Sequence, residues 1–177
     1  MGSLGYQALV LISPRPLRAL LAAAALALLV PSAAEARAQI LAAQGSWAAL
    51  KYGDRCEAVS RPLLPAARRQ PEARAGFSFA GGAGQGQFHV RLSRIPRPAS
   101  SVMLTIGDRP FLLLAQSDWA WSRGALQESA ILEAARGATS MRVEARDSAG
   151  RRFADHYLLN GAPTAIDAAA AGCAGKS

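Results

Sequence analysis

Apolar residues occupy every second position in three stretches of the chain, residues 88–92, 102–106 and 141–145. A period of two is typical of a β-strand with one buried face. Trp119 and Trp121 are also two residues apart, so their side chains share a face if that segment is extended. The pattern therefore predicts several half-buried strands in the second half of the chain.

Further strands are predicted by residue type and by turns. Two strands are predicted at residues 47–52 and 57–59, on either side of a Gly-Asp turn. Another is predicted at residues 76–79, after a loop rich in proline and arginine. Phe111–Leu114 returns antiparallel to residues 102–106 after another turn. Because this run contains no polar residue, we expect both of its faces to be buried.

The clearest hairpin joins residues 141–146 to residues 151–157 through the turn Asp147–Gly150. A glycine bulge at Gly150 predicts four opposed pairs: Met141 with Tyr157, Val143 with Asp155, Ala145 with Phe153, and Asp147 with Arg151. Asp155 then lies on an otherwise apolar face, where an unpaired carboxylate is unfavourable. We expect it to have a structural partner, an arginine or backbone N–H groups, with acid–base chemistry as the alternative.

Two short helices complete the predicted elements. The first is capped by Ser122, ends at Gly137 and turns an apolar stripe inward, made of Leu126, Ala130, Ile131 and Ala134. The second begins near Pro163 and carries Ile166, Ala169, Ala170 and Cys173 on one stripe. The whole pattern predicts a mainly β, β-rich α+β domain, built as an antiparallel β-sandwich or a strongly curved sheet with two short helices.

The first 38 residues have the order of a secretory signal peptide. Arg15 and Arg18 precede an apolar run from Ala19 to Val30, and small residues ending in Ala38 follow it. The run is about 12 residues long, whereas a membrane-spanning helix needs about 20, so a permanent membrane anchor is the weaker alternative. We therefore expect residues 39–177 to form a single β-rich globular domain that is periplasmic or secreted.

Cys56 and Cys173 are the only cysteines of the chain. Because an exported protein folds in an oxidising compartment, we predict a Cys56–Cys173 disulfide that ties the beginning of the domain to its last helix. A catalytic thiol is the alternative, but neither cysteine stands in a catalytic motif.

The composition and charge restrict the classes of partner that the domain is expected to bind. An apolar fraction of 51% with 18% charged residues is that of a foldable domain, and the net charge is +8. The arginines are scattered, which favours solvated faces over a nucleic-acid groove. An anionic envelope component is the natural electrostatic partner, and a solvated surface with no particular ligand is the default alternative. With only two histidines and two cysteines, we expect no metal centre and no cofactor.

A few polar and aromatic side chains are candidates for chemistry. Trp119, Trp121 and Arg123 form a possible ligand-binding group, because indole rings beside a guanidinium stack on sugars or aromatic ligands. Burial in the core is the default expectation for these tryptophans, since a small domain usually buries them. His89 and His156 are both predicted to face solvent from their strands, and no serine lies in a Gly-x-Ser-x-Gly elbow.

The order of these features resembles the invasion-associated locus B family of bacterial envelope proteins, mainly over residues 100–173. The features that carry the resemblance are Trp47, Cys56, Ile131–Arg136, Met141–Val143, the hairpin after it, Tyr157–Gly161, Ala165–Asp167 and Cys173. Members of that family typically have more cysteines. The resemblance implies a periplasmic or secreted β-rich domain without known catalytic residues, so no catalytic residue is assigned from it.

These observations predict a non-enzymatic domain that binds an envelope component or a partner protein. One alternative is a small hydrolase acting on envelope polymers, which needs a cleft where a histidine approaches a serine or a carboxylate. The other is an inhibitor of a foreign enzyme, which would present a rigid exposed loop, residues 62–74.

Overall fold

Ten antiparallel strands and two helices make up the part of the chain that the computed structural model describes, residues 37–65, 67–80 and 86–174. The strands are β1 (Gln39–Gln44), β2 (Trp47–Tyr52), β3 (Arg55–Ser60), β4 (Arg74–Ala80), β5 (Gln87–Arg91), β6 (Val102–Ile106), β7 (Arg109–Gln116), β8 (Trp119–Trp121), β9 (Ser140–Arg146) and β10 (Arg152–Leu158). The helices are α1 (Ala125–Gly137) and α2 (Ala162–Cys173). Residues 1–36 of the predicted signal peptide lie outside the described residues.

All ten strands belong to one open sheet, in the order β1-β2-β3-β4-β5-β8-β7-β6-β9-β10. The sheet curves until its two ends meet: the backbone N–H of Ser46 donates to the carbonyl of Asn160 at 3.2 Å, and the indole N–H of Trp47 donates to the carbonyl of Leu158 at 2.8 Å. The predicted fold class is confirmed. Of the two expected architectures, the single curved sheet is the one found.

One hydrophobic core fills the space that the curved sheet encloses. Its largest fully buried side chains come from both halves of the sheet and from both helices, and include Trp47, Phe77, Phe88, Leu104, Ile131, Val143, Tyr157 and Ile166. Helix α2 packs on β1–β4, and helix α1 packs on β5–β7. The opposite face of β2–β5, β7 and β8, which we call the outer face, carries neither helix.

The disulfide prediction is confirmed. Cys56 on β3 and Cys173 at the end of α2 are bonded, with their Cα atoms 5.8 Å apart. Lys51 reinforces the same junction, because its Nζ donates to the carbonyl of Gly172 at 2.7 Å. The start of the sheet is therefore fastened to the last helix by one covalent bond and one charged hydrogen bond.

The β9–β10 hairpin has the predicted register at every pair. Gly150 has a φ of 80°, the left-handed conformation that a glycine bulge requires. Asp155 is buried, and one of its carboxylate oxygens accepts a hydrogen bond from the backbone N–H of Ser93 at 2.9 Å. The expected backbone partner of this carboxylate is thus confirmed.

Asp147 organises the turn of the same hairpin. Its Oδ1 accepts the backbone N–H groups of Ala149 and Arg151 at 3.0 Å each, and its Oδ2 accepts the guanidinium groups of Arg151 and Arg94 at 3.1 and 3.2 Å. Removal from water acts to raise the pKa of Asp147, but these donors and positive charges outweigh it, so the pKa is lowered.

This lowered pKa predicts a pH-dependent contribution to stability. The contribution is present above the ordinary carboxyl pKa of about 3.9 and is lost as the pH falls through the lower value of the folded state. Asp147→Asn should therefore lower the urea midpoint at pH 7, and the difference from wild type should shrink below pH ~4. Glu144→Gln, at an exposed ion pair of the same hairpin, is the matched control and should change little. A difference that stays constant down to acid pH would contradict this role.

The structure contains one strand that the sequence does not predict, and three predictions about individual elements are wrong. Strand β1 was not expected, because Gln39–Gln44 shows no clear alternation. Helix α1 has Gly124 rather than Ser122 at its N-cap, and Leu126, expected to face inward, is 91% exposed. Strand β7 is not buried on both faces: Leu112 and Leu114 are exposed, because no described helix covers the outer face there.

Candidate functional site

Two rows of side chains cross the outer face of the sheet. The strand register places Ala48, Val59, Gly76, His89, Trp121 and Leu114 side by side in the first row. The second row, two residues away along each strand, contains Arg74, Arg91, Trp119 and Gln116. Directly paired residues of antiparallel strands have their side chains on the same face and in contact range. The fold thus gathers aromatic and basic residues that are distant in sequence.

Trp119 and Trp121 both lie on this outer face and are half-buried, whereas Ala120 between them is fully buried. Their predicted common face is confirmed. The default expectation of core burial does not hold for them, since Trp47 is the tryptophan of the hydrophobic core cluster. The two indole rings therefore remain partly open to solvent.

Arginines surround Trp119. The Cζ atom of Arg74 lies 5.2 Å from the ring centroid of Trp119, within the range of a cation–π contact. Arg91 is the direct cross-strand neighbour of Trp119 and pairs with Asp118 at 2.8 Å. Arg123 is exposed and lines a different groove, with residues 96–101 and 112–115. The structure thus places Arg74, and not the predicted Arg123, against the tryptophan.

His89 is less exposed than its position on the outer face predicts. It stands opposite Trp121, and its ring centre is 6.0 Å from that of Trp119. The hydroxyl of Ser78 and Nδ1 of His89 are hydrogen-bonded at 3.1 Å. Burial lowers the pKa of His89, although the Glu57 carboxylate acts in the opposite direction. The predicted position of His89 on the face away from the core is confirmed, and the imidazole is half-buried there beside the indole rings of β8.

Gly76 and Glu57 complete the surroundings of the imidazole. A Cβ atom on Gly76 would lie 2.7 Å from the carbonyl oxygen of Ala58 and 3.1 Å from the imidazole, so glycine is the residue that fits there on β4. Glu57 is 6% exposed and forms an ion pair with Arg55 at 3.5 Å. Neither Glu57, Ser78 nor Arg74 was predicted, because their proximity to His89 depends on the pairing of β3, β4 and β5.

We name Trp119, Trp121, His89, Arg74 and Arg91 the Trp119 surface. Its chemistry combines partly exposed indole faces with guanidinium groups. Indole faces stack on the C–H faces of sugar rings, and guanidinium groups bind carboxylates or phosphates through paired hydrogen bonds. The arrangement therefore suits a ligand that carries both apolar faces and negative charge.

An open groove of about 840 Å³ adjoins the Trp119 surface. Its floor includes Ala48, Leu50 and Val59 from the outer face of β2 and β3, and one wall is formed by the loop between β3 and β4. Arg74 and Arg91 line the groove and also belong to the Trp119 surface. The groove and the surface are thus continuous.

The loop between β3 and β4 is fastened to the far end of the sheet. The backbone N–H of Leu63 donates to the carbonyl of His156 at 2.7 Å, on the free edge of β10. Arg61 and Glu72 form an exposed ion pair at 3.5 Å across the loop. Leu63 and Leu64 are exposed at the point where the loop turns. The side chain of His156 itself is exposed, as predicted.

Neither a metal cluster nor a membrane-crossing helix is found within the described ranges. Residues 37–65, 67–80 and 86–174 contain no group of three or more histidine, cysteine or carboxylate side chains able to hold a metal ion. No helix in these ranges is long and apolar enough to span a bilayer. Comparison with protein-family models, curated proteins and solved structures gave no match.

Proposed function

We propose that residues 39–177 form an exported, non-enzymatic domain that binds an anionic envelope component at the Trp119 surface. The observation that carries the proposal is the contact between Arg74 and the half-exposed Trp119. Within the described residues Arg74 has no carboxylate within ion-pair distance, so its guanidinium has hydrogen-bond donors to offer to a ligand.

Two further observations support the proposal. The Cys56–Cys173 bond is compatible with an oxidising compartment, where an exported protein would fold. The resemblance of residues 100–173 to the invasion-associated locus B family implies a β-rich envelope domain of the same kind. Export, removal of residues 1–38 and membership of that family remain predictions.

Replacing Trp119 tests the proposal. Trp119→Ala should bind an acidic polysaccharide about ten to a hundred times more weakly than wild type in isothermal titration. The substitution removes the stacking contact with the ligand and the indole ring that holds the Arg74 guanidinium in place. The variant should keep its circular dichroism spectrum, since the indole is outside the core cluster. Arg74→Gln should weaken binding in the same direction and reduce its dependence on salt.

Arg123→Gln is the matched control, because Arg123 is an exposed arginine that lines a different groove. It should leave binding unchanged. Equal weakening by Arg123→Gln and Arg74→Gln would show that only net charge matters and would overturn the assignment of the site. Binding of a protein from periplasmic extract at the Trp119 surface, with no binding of acidic polymers, would favour a partner protein instead.

A small hydrolase is the second candidate, because His89 does approach a serine and a carboxylate. Ser78 is hydrogen-bonded to its Nδ1, and Glu57 is close enough to affect its pKa. However, β4 is paired with β3 and β5 on its two sides, so the backbone N–H groups near Ser78 are engaged in the sheet and unavailable to an oxyanion. Cleavage of an envelope polymer by wild type but not by Ser78→Ala would establish this candidate.

A further inference from the structure

We infer that the ligand is an extended acidic polysaccharide, which runs from the Trp119 surface along the groove, beside the loop residues 61–63 and 72–74. This inference rests on the proposed function and adds the class and the length of the ligand. The juxtaposition that carries it is an aromatic platform at one end of a groove whose loop wall is basic.

Continuity of the binding surface is the first step. Arg74 and Arg91 each belong both to the Trp119 surface and to the lining of the groove. From Trp119 on β8 the surface passes over β5, β4 and β3 to Ala48 on β2. Four strand spacings of about 4.8 Å give a length of roughly 19 Å. A single phosphate or carboxylate would occupy only a small part of this length, whereas a chain of several sugars would fill it.

Charge is the second step. The walls of the groove carry three arginines, Arg61, Arg74 and Arg91, against the single carboxylate of Glu72. Arg68 and Arg69 are exposed on the same loop and line a second pocket outside the groove, where they add to the positive charge of this side of the molecule. An acidic polymer that repeats its negative charge along the chain is complementary to such a wall.

The shape of the floor is the third step, and it favours a sugar chain over a peptide. A peptide that binds by strand addition needs the free edge of a sheet. The floor of the groove is instead the side-chain face of β2 and β3, which are both interior strands. The side chains there, Ala48, Leu50 and Val59, are apolar, and the C–H faces of sugar rings can pack on them.

The inference is tested by isothermal titration of residues 39–177 with oligogalacturonates of increasing length, from the dimer upward. Affinities are compared per sugar unit, so that the statistical advantage of longer chains is removed. Wild type should bind longer oligomers about tenfold more tightly than the dimer. Arg61→Gln, at the far wall of the groove, should abolish most of this gain and leave dimer binding unchanged.

Arg109→Gln is the matched control, because Arg109 and Glu133 form an exposed ion pair like that of Arg61 and Glu72 but outside the groove. It should preserve the length dependence. If dimer and longer oligomers bind equally and both are lost in Trp119→Ala, the inference fails and the proposed function stands. If vesicles of anionic phospholipid or a protein bind at Trp119 while oligogalacturonates do not, the polysaccharide class is wrong. If none of these probes binds, the inference and the proposed function both fail.

Discussion

Removing the disulfide should cost about 4 to 5 kcal/mol of the free energy of unfolding. Cys56 and Cys173 are separated by 117 residues, and the loop-entropy model gives about this value for a loop of roughly a hundred residues. The variant to use is the double substitution Cys56→Ala with Cys173→Ala. Both positions are buried, so serine would add the cost of burying two hydroxyl groups.

The measurement is the urea midpoint with and without a reducing agent. Wild type in the reducing agent should approach the stability of the double variant, and the double variant itself should not respond. The contact of Lys51 with the carbonyl of Gly172, and the buried Ile166 and Ala169, still hold α2 on the sheet without the covalent bond. We therefore expect a destabilised but folded domain. Equal midpoints for wild type and double variant would show that the bond does not contribute to stability.

The parts of the fold that the sequence predicted are those with local signals. The β9–β10 register follows from alternation on both sides of a turn with Gly150, and helix α2 follows from Pro163 and its apolar stripe. The disulfide follows from there being only two cysteines. Strand β1 was missed because its alanines and glutamines carry no period, and it is held by pairing with β2 and by α2, which are tertiary effects.

The candidate site was only partly predictable, for a topological reason. The spacing of Trp119 and Trp121 indicated a shared face, but their neighbours come from strands that pair out of chain order, β5 with β8. Proximity in sequence favours Arg123, whereas Arg74 is the arginine that the sheet brings to Trp119. Turn chemistry and periodicity describe neighbours along the chain and do not determine which strand follows β5 in the sheet.

Trp47→Ala should be the most damaging single substitution. The cavity alone should lower the free energy of unfolding by about 3 to 5 kcal/mol. Trp47 is 2% exposed and packs on Phe77, with their ring centres 6.0 Å apart. Its indole N–H also donates to the carbonyl of Leu158 at 2.8 Å, so it joins β2 to the end of β10. Because small domains are stable by only about 5 to 15 kcal/mol, we expect a variant that is largely unfolded at mild denaturant concentration.

Trp47→Phe separates packing from the hydrogen bond. It keeps an aromatic ring beside Phe77 but leaves the carbonyl of Leu158 without its hydrogen-bond donor. The expected loss in the free energy of unfolding is about 1 to 3 kcal/mol. Trp119→Ala provides the opposite comparison, since it removes the same side chain from the outer face and should preserve most of the stability. Chemical denaturation of the three variants should rank their losses in the order Trp47→Ala, Trp47→Phe, Trp119→Ala. A loss in Trp119→Ala as large as that in Trp47→Ala would mean that the outer-face indole is a structural element of the sheet, and the case for a binding surface there would be withdrawn.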